Sequence, residues 1–329
     1  MGWGFRQMFN AIRCADCVRC RRAFPTRYNQ PVPELPEVET VARSVDERVR
    51  GDQILDVWFS SHTQPFKTPP EVLASGLLGR VFLAVYRSGK HIVCELGPVQ
   101  AALRNNSTFL TKARKNSPAI EAQNPVPEAQ WIVHLGMTGR LLVADPATPA
   151  PPHTHARLTL SSGKELRFVD PRRFGRLDYK DLRLSEAFLT PGSEPLAIAP
   201  KAFAALFHNR RLPIKAALLN QSLLAGVGNI YADESLFRAG IRPRRIAGRL
   251  SRAELESLRR ALQQVLRRAI RLGGSSVSDY VNAAGEPGFF QTEHCVYRRT
   301  GLPCPRCGAT IRRIAIAGRS SHYCPHCQR

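Results

Sequence analysis

The chain is poor in acid and lacks several features that would place it elsewhere. Of its 329 residues only 26 are Asp or Glu, against 48 Lys or Arg, a formal charge of +22. No apolar run is long enough to cross a bilayer as a helix, which argues against a membrane-spanning protein. The N-terminus, MGWGFRQMFNAIRCADC, has no continuous apolar core of the kind a secretory signal needs. No internal repeat is visible, so solenoid and propeller architectures are set aside. With so few acids, the natural partner of the surplus cation is a polyanion. Residues 1–32 carry six Arg and one Asp, and leaving them out lowers the charge only from +22 to +17, so the basicity belongs to the main body.

At 43% hydrophobic residues the chain can bury a sizeable core, and its length suits two ordinary domains plus a small module. From Pro33 an amphipathic helix is expected. Pro36 sits where a first turn tolerates it, Val38, Val41, Ala42, Val45 and Val49 recur at helical spacing, and Gly51 supplies a stop. Between Ile54 and Leu177 the pattern is mainly strands: ILDVWF, RVFLAVYR, HIVCEL, QWIVHLGM, ARLTL and LRFVD. Short strands divided by turn signals indicate a β-sandwich or barrel. A polar stretch at 97–128 reads as an inserted loop. After Pro191-Gly192-Ser193 the chain turns helical. Ser251 and Glu254 make a capping box, Leu255, Leu258, Leu262, Val265, Leu266 and Ala269 form one apolar face, and Gly273 closes the helix. Arg259, Arg260, Arg267, Arg268 and Arg271 lie on its other faces and read as a solvated surface.

Nine cysteines are present: Cys14, Cys17, Cys20, Cys94, Cys295, Cys304, Cys307, Cys324 and Cys327. Cys304-x-x-Cys307 and Cys324-x-x-Cys327 have the spacing of a closed tetrahedral four-cysteine site, which indicates one structural Zn²⁺ in a reducing compartment. Ile311, Ile314 and Ile316 between the pairs suggest a β-hairpin with Gly318-Arg319 at its tip. An Arg on a metal-pinned turn is well placed to reach a phosphate. Cys14, Cys17 and Cys20 lack an evident fourth ligand, and translated upstream sequence is the favoured reading of that stretch.

Residues 33–40, Pro-Glu-Leu-Pro-Glu-Val-Glu-Thr, are followed in order by RSGKHI (87–92), HLGMTG (134–139), DPRRFG (170–175), GVGNIYADESLFRAGI (226–241) and the four-cysteine module. Together these blocks resemble the formamidopyrimidine-DNA glycosylase family over nearly all of 33–329, apart from the loop near 97–128. The resemblance implies an α+β multidomain protein. Its parts would be an N-terminal catalytic β-sandwich with flanking helices (33–192), a helical helix-two-turn-helix domain (197–290) and a C-terminal β-hairpin zinc finger (295–329). It implies a base-excision-repair glycosylase/AP lyase that removes oxidised purines, 8-oxoguanine and formamidopyrimidines, through a Schiff base at an N-terminal proline, with β,δ-elimination following.

Carried over residue by residue, Pro33 is the nucleophile, Glu34 its acid/base partner, Lys90 assists β-elimination and Arg319 δ-elimination. Met137 would fill the void left by the extruded base, Arg172 would pair with the orphaned cytosine and Phe174 would wedge between neighbouring bases. Asp170 caps the DPRRFG turn. His153, Arg210, Lys215 and Asn229 match DNA-contacting positions, and Gly226 and Gly228 would let backbone N–H groups approach a phosphate. The implied partner is double-stranded damaged DNA, bound by a monomer in the bacterial cytoplasm at the nucleoid, without a membrane. The sister enzyme for oxidised pyrimidines, endonuclease VIII, shares the Pro-Glu start and the finger but lacks the DPRRFG block. A non-enzymatic DNA-binding protein is the alternative from another class.

Two departures stand out. A Schiff base needs an amine, and inside the chain the nitrogen of Pro33 is a tertiary amide without a basic lone pair. Val32 stands where the family has its initiator Met, so translation from position 32 and loss of the leader 1–32 is expected. Arg298 stands where the family usually has Gly after Val-Tyr.

Overall fold

The computed structural model describes residues 32–98, 126–276 and 280–329. The expected leader except Val32, most of the expected insertion, and Cys14, Cys17 and Cys20 lie outside the described residues. Helix α1 (Leu35–Val49) runs as its apolar spacing predicts. Leu35, Val38, Val41, Ala42, Val45 and Val49 are buried, and the chain leaves the helix through Gly51 at φ +86°.

Two four-stranded antiparallel sheets follow. Strands β1 (Ile54–Phe59), β6 (Thr154–Leu160), β7 (Glu165–Val169) and β5 (Arg140–Ala144) make one, in the order β1-β6-β7-β5. Strands β2 (Val81–Ser88), β3 (His91–Gly97), β4 (Ala129–His134) and β8 (Arg176–Asp181) make the other, in the order β2-β3-β4-β8. The expected sandwich is present. Its core joins Phe82, Ile92, Trp131, Leu158 and Phe168 to the apolar face of α1. Strands β5 and β8 and helix α2 (Pro70–Leu77) add to the elements the sequence pattern suggests.

A second core is helical. It comprises α3 (Pro200–Phe207), α4 (Ile214–Leu218), α5 (Asn229–Ala239) and α6 (Arg252–Arg271), with Leu35 of α1 packed into it. Helix α6 begins with the expected box: Ser251 Oγ accepts from Glu254 N–H, and Glu254 Oε2 accepts from Ser251 N–H. A third, small core surrounds Phe237, Val296, Ile311 and two cysteines. It carries the hairpin β9 (Arg312–Ile316) and β10 (Arg319–Tyr323). Ala317 and Gly318, both at positive φ, form a two-residue turn of the kind that matches strand twist. Arg319 is therefore the first residue of β10, opposite Ile316, rather than part of the tip. Among the described residues no helix is long and apolar enough to cross a membrane.

Candidate active site and nucleic-acid interface

Pro33 and Glu34 are buried where the sandwich meets the helical core. Leu35 N–H donates to Gly226 O at 3.0 Å, which fastens the start of α1 to the loop before α5. The Glu34 carboxylate accepts from the N–H groups of Ile230 (3.0 Å) and Tyr231 (3.3 Å), the open donors of the first turn of α5. Gly228 makes this possible, since a Cβ there would lie 2.2 Å from Glu34 Cδ. For Gly226 the expectation of a backbone N–H open to a phosphate is corrected. The helix end is filled by the protein's own carboxylate, and Gly226 N–H donates to Gln221 Oε1 at 2.9 Å. Burial raises the Glu34 pKa, and the charge of Lys90, the two α5 amides and the charge of Lys215 only partly offset it.

Glu37 belongs to the same cluster. Its carboxylate accepts from Glu34 N–H (3.0 Å), Tyr231 OH (2.5 Å) and Ser275 N–H (2.7 Å). Burial first, and the charge of Glu34 second, raise its pKa to about 7. Sequence reasoning missed Glu37, Tyr231 and Ser275. The Glu34-x-x-Glu37 spacing, that of a reciprocal helix cap, was the available signal for Glu37.

Lys90, in the turn between β2 and β3, is partly buried. Burial lowers its pKa; Glu34 works against that, and Arg319 adds to it. Among the described residues no ion pair or hydrogen bond holds its ammonium. Arg319 is exposed on the finger. The structure thus brings Glu34 and Arg319 each within electrostatic reach of Lys90.

Two further loops meet beside each other. Gly136, at φ +62°, has no room for a Cβ, which would lie 2.5 Å from Gly175 N. That close approach sets Met137, partly buried, next to the turn carrying Arg172 and Phe174, both exposed. The Arg172 guanidinium lies 4.9 Å from the Phe174 ring centre. Asp170, fully buried, organises the turn: Thr138 Oγ1 (2.6 Å) and Gly175 N–H (2.7 Å) both donate to its carboxylate. His153 is exposed at φ +66°, and Arg173 stands at φ +56°. Strained non-glycine residues concentrate where a ligand must be met.

Arg210 is partly buried, its Nε donating to Leu206 O at 2.5 Å. Asn229 opens α5, and its Oδ1 is a buried acceptor without a partner among the described residues. Lys215 departs from the expected DNA contact. It is 0% exposed, with Nζ 2.7 Å from Asp233 Oδ1 and 2.6 Å from Ser320 O. A lysine so enclosed has no surface to offer a phosphate.

The four finger cysteines bring their sulfurs within 4.8 Å of one another, with Cys304 and Cys327 at 3.9 Å and Cys307 and Cys324 at 3.5 Å. A tetrahedron of metal–sulfur bonds of about 2.3 Å has edges of about 3.8 Å, so the residues fit Zn²⁺. Amides of Arg306 and Cys327 point at Cys304 and Cys324 sulfurs, as the partners of thiolate ligands do. The finger holds one structural zinc.

Comparison with known proteins agrees along the chain. The formamidopyrimidine-DNA glycosylase N-terminal domain matches residues 32–177, the H2TH domain of the same enzymes 190–281, and the zinc finger found in FPG and IleRS 301–329. The formamidopyrimidine-DNA glycosylase of Solibacter usitatus is 41% identical over 91% of this chain and 100% of its own length. That of Thermus thermophilus is 42% identical over 90% and 98%. The crystal structure of MutM (FPG) from Thermus thermophilus superposes with a TM-score of 0.71 at 39% identity, covering 90% of this chain and 98% of its own. The Lactococcus lactis Fpg in complex with DNA containing an abasic site superposes at 0.73, with 31% identity over 90% and 99%. The chain belongs to the formamidopyrimidine-DNA glycosylase family.

Proposed function

We propose that the chain excises oxidised purines from double-stranded DNA as a bifunctional glycosylase/AP lyase, working as a monomer, with Pro33 as the nucleophile. The observation that carries this reading is the meeting of Pro33-Glu34 with the N-terminus of α5, with Lys90 in electrostatic reach of both Glu34 and Arg319. A secondary amine at Pro33 attacks C1′, the C1′–base bond breaks, and the resulting Schiff base is the lyase intermediate. Glu34, its proton affinity raised by burial, serves sugar-ring opening and proton transfer. Lys90, with a lowered pKa and no fixed partner among the described residues, takes the β-elimination step and a phosphate. Arg319 takes the δ-elimination step and a second phosphate. Met137, Arg172 and Phe174 fill, pair and wedge the gap in the duplex. His153, Arg210 and Asn229 contact DNA around it.

Because an amide nitrogen cannot form an iminium, the active form in this reading begins at Pro33. Borohydride trapping on an abasic duplex tests it, with full-length and Pro33-started proteins side by side. A covalent adduct from the Pro33-started protein and none from the intact full-length chain is the expected result. Failure of the Pro33-started protein to trap refutes the lyase reading and leaves a DNA-binding protein. Excision of 8-oxoguanine in preference to thymine glycol is expected, which the DPRRFG turn with its buried Asp170 supports over the pyrimidine-directed sister enzyme.

A further inference from the structure

Lys215, Asp233 and His322 form a buried charged cluster that direct DNA contact does not explain. All three are nearly or wholly inaccessible. Lys215 Nζ lies 2.7 Å from Asp233 Oδ1 and donates to Ser320 O at 2.6 Å. Asp233 Oδ2 accepts from the backbone N–H of His322 at 2.8 Å and lies 3.0 Å from its ring Nδ1. Tyr297 packs edge-on against the same ring, with centroids 5.1 Å apart. One cation from α4 and one anion from α5 thus occupy a carbonyl and an amide two residues apart on one strand.

The carbonyl of residue i and the amide of residue i+2 face the same edge of a strand. On β10 that edge is the one away from β9, which a two-stranded hairpin leaves without a ladder. Lys215 and Asp233 stand where a third strand would be. A two-stranded hairpin is marginal by itself, so what holds its edge decides where it points. The zinc ligand Cys324 follows the base of β10, while Arg319 begins the strand five residues earlier, about 17 Å away along an extended chain. Glu234, the next residue of α5, accepts from the amides of Cys295, Val296 and Tyr297 and so holds only the approach to the finger. The edge contacts at Ser320 and His322 are those nearest the tip.

We infer that Lys215 and Asp233 are positioning residues that aim Arg319 at the substrate, by holding the carbonyl immediately after it and the amide two residues further on. The metal secures the base of the finger; the ion pair sets the direction of its working end. This inference rests on the proposed role of Arg319 in δ-elimination. It predicts that damage to the pair appears in the product ratio more than in Schiff-base formation.

The test uses zinc-loaded, Pro33-started protein on an abasic duplex, with the ratio of δ- to β-elimination product measured alongside borohydride trapping. Lys215→Met, Asp233→Asn and Arg319→Ala are compared. The paired variant Lys215→Met/Asp233→Leu, which removes both buried charges together, provides a folded reference should the single variants misfold. Misplacing a reacting group by an ångström can cost up to about a hundredfold, so the δ:β ratio should fall roughly tenfold to a hundredfold in the paired variant. Its zinc content should stay at one per chain and its His322 amide should exchange faster with solvent. A folded paired variant with the wild-type δ:β ratio, while Arg319→Ala loses the δ product, overturns the clamp and leaves the role of Arg319 intact. If Arg319→Ala itself keeps the wild-type ratio, the role assigned to Arg319 fails, and the clamp falls with it.

Discussion

Two lysines enclosed by this fold have been treated in opposite ways. Lys215 is completely buried and fully matched, with Asp233 on one side and the Ser320 carbonyl on the other. Lys90 is only partly buried, yet nothing among the described residues fixes its ammonium, and Arg319 repels it. A charge withdrawn from water must be paired or it costs stability. Lys215 obeys that rule and so serves the architecture. Lys90 breaks it and so retains a free capacity to bind an anion. Burial alone therefore does not mark a functional group.

The sharpest way to break this comparison is to neutralise each lysine in turn. Lys215→Met strands Asp233 in the interior, and removing one member of a buried pair costs about 3–5 kcal/mol. Lys90→Met breaks no ion pair or hydrogen bond among the described residues and should change stability by less than about 1 kcal/mol, while abolishing most β-elimination. Denaturant unfolding of both variants checks this, and equal losses would erase the distinction.

Next in size is Gly228→Ala. The added Cβ would lie 2.2 Å from Glu34 Cδ, so the carboxyl must leave the amides of Ile230 and Tyr231. Displacement of that order is expected to lower single-turnover excision by about a hundredfold, with DNA affinity little changed.

Glu37 lies between the two extremes, since it is well hydrogen-bonded yet shares its burial with Glu34. Its folded pKa of about 7 stands above the ordinary 4.5, so the folded protein holds a proton that the unfolded chain has released. The cost of its charge is full above pH 7 and is relieved as pH falls from about 7 towards 4.5. Relative to Glu37→Gln, the unsubstituted protein should gain stability through that window, read as melting temperature against pH.

A smaller effect is expected from backbone strain. Arg298 is held at φ +58°, a conformation glycine adopts without penalty. Arg298→Gly should stabilise the protein by about 1 kcal/mol, seen as a small rise in melting temperature with unchanged excision. A fall in excision would instead place Arg298 among the functional residues.

How much of this was legible in the sequence depends on how local each feature is. Helix α1, the Ser251–Glu254 box and the paired C-x-x-C spacing announce themselves because their partners lie within a few residues. Strands β5 and β8 were harder. RLDYKD carries four charges in six residues and lies at the edge of its sheet, so no apolar alternation betrays it. Helix α2 is short and sits among strands. The site divides the same way. The motif blocks point to Glu34, Lys90, Arg172 and Arg319, but a lysine in sequence gives no hint of burial. Only the fold brings Asp233 and Ser320 to Lys215. Only the fold shows that the second glycine of Gly-Val-Gly makes room for the Glu34 carboxylate.

That last arrangement has a consequence for the order in which the enzyme comes into being. Pro33 and Glu34 leave the ribosome long before Gly228, Ile230 and Tyr231, and Arg319 emerges last. A nascent chain ending in the sandwich lacks the amides of Ile230 and Tyr231 that hold the Glu34 carboxylate. The surroundings of Glu34 are complete only when the helical half has been synthesised and docked.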